Sequence, residues 1–312
     1  MAVTKTAVAI IGVGSVGATL GYALINQGLC DEIYLVDKNT DKARAEATDL
    51  ENCIEFMNRN MHIEVRTADG LADADIAVLT AAAPYGGEQT RLDMLSGSLK
   101  IIDSIVPDII RGGFNGHFVV ITNPVDIISC RVLQLSGFPA NRIIGTGTAL
   151  DSARLKNVLS RTVDVDPRSI HAFTMGEHGE SQMIPWSAAR IGGKLWNDVV
   201  RDNPRLEGME DSIHSQVVGM AFEIIRGKGS TNYGIASSTS GIIKAILHDE
   251  NRIIPVCAML TGQYGHSGIF ISVPAVINRT GIKEIVEIKL TDREQAEFDR
   301  SAGIIREYIS GL

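Results

Sequence analysis

Five apolar residues in succession, Ala7-Val8-Ala9-Ile10-Ile11, run directly into Gly12-Val13-Gly14-Ser15-Val16-Gly17. An unbroken apolar pentad is what a strand buried on both faces requires, and such strands belong to parallel sheets. The three glycines have separate uses in a strand-to-helix turn. Gly12 allows the tight bend, Gly14 lets a phosphate approach the backbone, and Gly17 lets helix and strand pack closely. The next apolar run, "EIYLVD" at 32 to 37, ends in Asp37. A carboxylate there, roughly twenty residues past the last glycine, can accept hydrogen bonds from an adenosine ribose. Its charge repels a 2′-phosphate, so the pattern predicts an NAD site rather than an NADP site. The pyrophosphate would sit at the positive end of the helix, over Val13, Ser15 and Val16.

Alternation continues through the first half. "HIEVRT" (62 to 67), "DIAVLTAA" (75 to 82), "HFVVIT" (117 to 122) and "RIIGT" (142 to 146) are strand candidates, and the last three are separated by helical stretches near 95 to 111 and 126 to 136. Strands alternating with helices imply parallel pairing through right-handed crossovers, a doubly wound α/β Rossmann sheet. The texture changes near Thr146. Helix is expected at 148 to 164, 209 to 226, 231 to 247 and from 292, where Thr291 and Glu294 form a capping box. Strand-like pieces fall at 168 to 174, 183 to 191 and in the runs "IIPVCAML", "IFISVPAVI" and "IKEIVEI". The expected organisation is thus an NAD-binding domain over 1–146 and a mixed α+β substrate domain over 147–312.

Composition removes several function classes. The formal charge of −8 argues against a nucleic-acid backbone binder. No apolar run approaches the roughly 18 to 20 residues that span a bilayer, and the N-terminus lacks a signal-peptide layout. Cys30, Cys53, Cys130 and Cys257 are widely spaced, without a neighbouring histidine or a CxxC pair. They read as small buried hydrophobes in a reducing cytoplasm, with no metal site.

Four further segments carry chemistry-bearing residues. "ITNPVD" (121 to 126) puts Asn123 at the carboxyl end of a strand, where open α/β sheets bind ligands; a turn-capping asparagine before Pro124 reads equally well. "LDSAR" puts Asp151 and Arg154 three apart on one helix face, as in many ordinary ion pairs. "GEHG" sets His178 between glycines, where most histidines are merely exposed. "AAAPYGGEQTRLDML" (81 to 95) presents Arg91 after the flexible pair Gly86-Gly87, either as a solvated loop charge or as part of a lid.

Taken in order, GVGSVG, Asp37, "QTRLDM", "TNPVD", "LDSAR" and "GEHG" resemble the L-lactate/malate dehydrogenase family, and "GQYGHSGIFISVPAVINRTGI" (262 to 282) resembles its bacterial lactate branch. The resemblance implies reversible hydride transfer between NAD(H) and a small 2-keto or L-2-hydroxy acid. It implies that His178 is the acid–base group and that Asp151 orients it and stabilises its charged form. Arg154 would clamp the substrate carboxylate, Arg91 would polarise the carbonyl from a closing lid, and Asn123 would bond the substrate oxygen. Thr231 would border the substrate and Ile235 the nicotinamide, with Thr80, Ala81 and Ala82 along the cofactor. Family resemblance also implies a homotetramer in the cytoplasm, serving glycolysis.

Two departures bear on specificity. Where lactate enzymes carry glutamine and malate enzymes arginine, six positions before the lid arginine, this chain has Tyr85. Without that arginine a second carboxylate would be buried unpaired, so oxaloacetate should be a poor substrate. Tyr85 would suit longer apolar 2-keto acids, as in L-2-hydroxyisocaproate dehydrogenases, but Thr231 is the pocket residue of ordinary lactate enzymes, so pyruvate is expected and the longer acids are the alternative. A non-catalytic NAD sensor would not need the four charged residues, and an NAD-dependent glycosidase would need a cysteine near His178. Lys156 and His171 stand where members activated by fructose 1,6-bisphosphate carry arginine and histidine. Lysine is the poorer phosphate fork, so weak or absent activation is expected.

Overall fold

The computed structural model describes residues 5–82 and 91–310, the side chains of 91–94 apart. The chain forms two compact units. One holds the residues up to Thr146 with Asn232–Arg252 and Ile277–Lys283; the other holds Gly147–Thr231, Ile253–Val276 and the chain from Glu284. The two returning segments are invisible to strand–helix alternation, which marks only the change at 146.

In the first unit the order is β1 (Ala7–Ile11), α1 (Ser15–Gln27), β2 (Glu32–Val36), α2 (Thr40–Cys53), β3 (His62–Val65), β4 (Ile76–Leu79), α3 (Arg91–Arg111), β5 (His117–Val120), α4 (Val125–Ser136) and β6 (Ile143–Gly145). These strands lie in the order β6-β5-β4-β1-β2-β3, and each adjacent pair is parallel. Ile10 registers with Leu35 on one side and Val78 on the other. All five β1 residues and all four of β4 are buried, as two-sided cover demands. The order reverses between β1 and β4, so the carboxyl ends of these strands, Gly12 and Thr80–Ala82, flank the crevice where such sheets take ligands.

The chain continues with α5 (Ala149–Val163), β7 (Ile170–His171), β8 (Arg190–Ile191), β9 (Lys194–Leu195), α6 (Trp196–Asp202), α7 (Glu210–Lys228), α8 (Tyr233–Leu247), β10 (Arg252–Thr261), β11 (Ser267–Asn278), β12 (Gly281–Ile285) and α9 (Asp292–Ser310). Helix α8 belongs to the first unit, where the Ser240 Oγ accepts from Gln27 Nε2 of α1 at 3.0 Å. The second unit has its own core, with Leu155, Leu159, Trp196, Ile213 and Val217 at its centre. The Trp196 indole N–H donates to Glu210 at 2.8 Å, which satisfies the one polar atom of a fully buried ring.

Three expectations need correction. The stretch 183–191 is not one strand: only Arg190–Ile191 pairs in a sheet, while Met183 makes an isolated bridge with Met175. Pro185 has no N–H to give, and the Trp186 N–H bonds back to Ile184, turning the chain out of extension. The run 168–174 shrinks likewise to Ile170–His171. Cys53 is half-buried rather than core, whereas Cys30, Cys130 and Cys257 are buried as expected. Among the described residues no helix is long and apolar enough to cross a membrane.

Candidate active site

The first unit supplies a dinucleotide cradle. Gly12 has φ +100°, and a Cβ there would stand 2.7 Å from the Ala81 nitrogen. At Gly17 a Cβ would come within 2.0 Å of the Gly12 carbonyl oxygen, so the close helix–strand approach demands glycine. Gly14 differs: nothing lies within 4 Å of where its Cβ would be, leaving open space above the turn. Helix α1 starts at that point with no side-chain cap and no acidic residue in its first turn. Its leading N–H groups and dipole are therefore available to an anion. Asp37 braces the turn, its Oδ2 accepting from the Val13 N–H and its Oδ1 from the Asn39 N–H, both at 2.9 Å. Each oxygen keeps a further lone pair for a ribose hydroxyl. Thr80 Oγ1 donates to the Gly12 carbonyl at 2.5 Å and ties β4 to the same turn. An open phosphate-sized gap, an uncapped helix start and a carboxylate at the second strand together fit NAD. Asn123 lies just beyond β5 and is exposed.

The second unit supplies a proton-transfer and anion-binding group. Asp151 and Arg154 lie in the first turns of α5, with side chains only 3% and 7% exposed. This is not the exposed surface pair that their spacing alone allows. Asp151 Oδ1 accepts from Arg154 Nη1 at 2.8 Å, and Asp151 Oδ2 lies 2.7 Å from His178 Nδ1. Burial alone would push the Asp151 carboxyl up, but the charges and hydrogen bonds of His178 and Arg154 outweigh it and hold the pKa below the usual aspartate value. An ionised carboxylate has no proton to give, so the Nδ1–H of His178 is the donor in that contact. This fixes the ring so that Nε2 is the nitrogen that exchanges protons. His178 is half-buried, its side chain 26% exposed.

The NAD-binding domain of lactate/malate dehydrogenases matches residues 6–145, and the alpha/beta C-terminal domain of the same enzymes matches 148–311. The chain belongs to the lactate/malate dehydrogenase family. L-lactate dehydrogenase 3 of Bacillus thuringiensis subsp. konkukian is 44% identical over 98% of this chain and 97% of its own. L-lactate dehydrogenase of Fusobacterium nucleatum is 43% identical over 97% and 95%. The crystal structure of the minor L-lactate dehydrogenase of Enterococcus mundtii, in its ligand-bound form, superposes with a TM-score of 0.97 at 38% identity, covering 99% of both chains.

The remaining residues singled out from the sequence are distributed over both units of this dehydrogenase. Thr231 ends the second unit's long segment and is half-buried; Ile235, half-buried on α8, belongs to the first unit. Lys156 sits on α5 with its Nζ 6.0 Å above the Phe173 ring, a packing contact. His171 is exposed on β7. Tyr85, Gly86 and Gly87 lie outside the described residues; Arg91 begins α3, and its side chain lies outside them too.

Motif reading missed the groups that hold these side chains in place. The Thr174 N–H donates to Ser152 Oγ at 2.9 Å, and Thr148 Oγ1 donates to the Thr174 carbonyl at 2.6 Å. These bonds tie the start of α5 to the segment leading into His178. Serines and threonines 22 and 26 residues apart carry no local signal of such pairing.

Proposed function

We propose that the protein is an NAD-dependent L-lactate dehydrogenase, reducing pyruvate to L-lactate and running in reverse. The observation that carries this reading is one buried carboxylate, Asp151, bonded to both His178 and Arg154 in a chain of this family. Bound NADH would supply a hydride to the carbonyl carbon. The Arg154 guanidinium, still with donors beyond the one given to Asp151, takes the substrate carboxylate as a planar fork. His178 Nε2 delivers its proton to the carbonyl oxygen, and Asp151 stabilises the imidazolium before transfer. Arg91 is assigned the polarising charge on that oxygen and Asn123 a hydrogen bond to it, with Thr231 and Ile235 lining substrate and nicotinamide.

Tyr85 in place of an arginine favours a monocarboxylate, with longer apolar 2-keto acids as the second reading. Self-association in a homotetramer and a cytoplasmic setting belong to the same proposal. Lys156 offers a bisphosphate a weaker grip than arginine would, so activation by fructose 1,6-bisphosphate is expected to be slight.

The experiment is kcat/KM with NADH for pyruvate, 2-ketobutyrate, 4-methyl-2-oxopentanoate and oxaloacetate, with and without the bisphosphate. Pyruvate should lead and oxaloacetate should trail; oxaloacetate leading would overturn the substrate assignment. Sedimentation velocity tests the tetramer.

A further inference from the structure

The buried face of α9 carries two polar residues among apolar ones: Glu294, Phe298, Ser301, Ala302 and Ile305. Ser301 has no exposed surface at all. Its Oγ accepts the Glu177 backbone N–H at 2.7 Å and lies 3.0 Å from Ser181 Oγ. The Ser181 proton is already committed to Glu177 Oε2, at 2.5 Å. Ser301 must therefore donate to Ser181. The result is a closed ring of hydrogen bonds that starts at the Glu177 amide and ends at the Glu177 carboxylate, with Ser301 as its buried vertex. Gly176 allows this approach, since a Cβ there would stand 2.6 Å from Ser301 Oγ. Two turns earlier on α9, Glu294 accepts from the Ser187 N–H at 2.9 Å and from the Ser187 hydroxyl at 2.7 Å. The C-terminal helix thus grips the segment that follows His178, while Ser152 holds the segment that precedes it at Thr174.

We propose that Ser301 is a positioning residue for proton transfer: it holds the Glu177 backbone so that the next residue, His178, keeps its 2.7 Å contact with Asp151. The inference rests on the reading of His178 as the acid–base group. Asp151, bonded to the ring, and Arg154, bonded to the same carboxylate, lie on α5, and Glu177 and Glu180 are neighbours of His178 in the chain. Asp151 contacts the ring directly, at 2.7 Å from Nδ1. A loop freed to drift lengthens that contact and weakens the support for the imidazolium.

The test uses the full-length enzyme with S301A and S301C. Cysteine nearly keeps the volume of serine but is a weak hydrogen-bond partner, so it separates the ring from packing. Both variants should lose roughly tenfold in kcat/KM for the preferred 2-keto acid, the cost of a small misplacement. The pH at which reduction falls to half should drop by about half a unit as the Asp151 contact loosens. The Kd for NADH should not change. E294Q, which weakens the Ser187 grip away from the proton donor, should lower Tm without moving the pH midpoint. Unaltered kcat/KM and midpoint in both Ser301 variants, whatever their Tm, would overturn the proposal. No turnover of any 2-keto acid by the unsubstituted chain would remove the functional reading, and this inference with it.

Discussion

His178 Nδ1 lies 2.7 Å from Asp151 Oδ2 although the two residues are 27 apart in the chain, and the other oxygen of that carboxylate is held by Arg154. One buried anion thereby sets the tautomer of the acid–base group and anchors the anion clamp. It also couples the two functions, so a substitution at 151 should damage both.

Asp151→Asn should lower kcat/KM for pyruvate by about a hundredfold or more, since it removes charge support and imposes the wrong donor pattern on His178. The sign of the pH effect follows from charge. The anion favours imidazolium, the form needed for reduction, so its loss should move the alkaline fall in activity to lower pH. Stability responds at the acid end. The folded pKa of Asp151 is depressed, so its contribution is present above the ordinary aspartate value and fades as pH drops through the folded one. Rate–pH profiles and acid unfolding of the two proteins check both statements.

The glycine turn separates folding from binding. Gly14→Ala adds a methyl where nothing lies within 4 Å, so Tm should hold while NADH binding weakens by about tenfold, the phosphate being pushed off the backbone. Gly17→Ala places its methyl 2.0 Å from the Gly12 carbonyl oxygen. That overpacking should cost about 1–3 kcal/mol and lower Tm by several degrees before any cofactor is added. Thermal melts with and without NADH distinguish the two.

The parts of the fold legible in the sequence were those with local signals. Ala7–Ile11 announces a two-sided strand through unbroken apolarity, and Gly12, Gly14 and Gly17 announce their turn through spacing. The identities of Asp151, Arg154 and His178 came from ordered motifs. Their burial and their shared carboxylate did not, because that contact is made between residues whose spacing encodes nothing. Ser152, Ser301 and Glu294 escaped for the same reason. Serine is an ordinary surface residue until a distant backbone N–H is brought against it, and Glu294 read only as half of a capping box. The box is present, with the Thr291 N–H donating to Glu294 at 2.8 Å, but the same carboxylate also reaches Ser187. The false strand over 183–191 is the converse case. Its apolar content is real, and it is spent in a turned segment around Pro185 rather than in a sheet.

His117 on β5 gives a second pH dependence, independent of catalysis. Burial pushes its imidazole pKa down, and its Nε2 has no hydrogen-bond partner among the described residues. The unfolded chain therefore binds a proton that the folded chain resists. Stability from this residue is complete above the ordinary histidine value of about 6.5 and is lost as pH falls from there toward the folded pKa. Urea midpoints should drop between pH 7.5 and 5.5, and drop less in His117→Gln. Equal losses in the two proteins would assign the effect to other groups.

Arg154→Lys keeps the charge beside Asp151, so the fold should survive. Arg154→Ala would instead strand a buried carboxylate at a cost of about 3–5 kcal/mol. Function should not survive the lysine. The guanidinium already gives Nη1 to Asp151, and its planar shape leaves further N–H groups in fixed directions for a carboxylate. An ammonium at that site must choose between Asp151 and the substrate. Expected is a rise in KM for pyruvate that lowers kcat/KM by about a hundredfold, with the Kd for NADH unchanged because the glycine turn and Asp37 belong to the other unit. A KM for pyruvate in Arg154→Lys close to that of the unsubstituted protein would show that the substrate carboxylate is held elsewhere, and the assignment of Arg154 would fall.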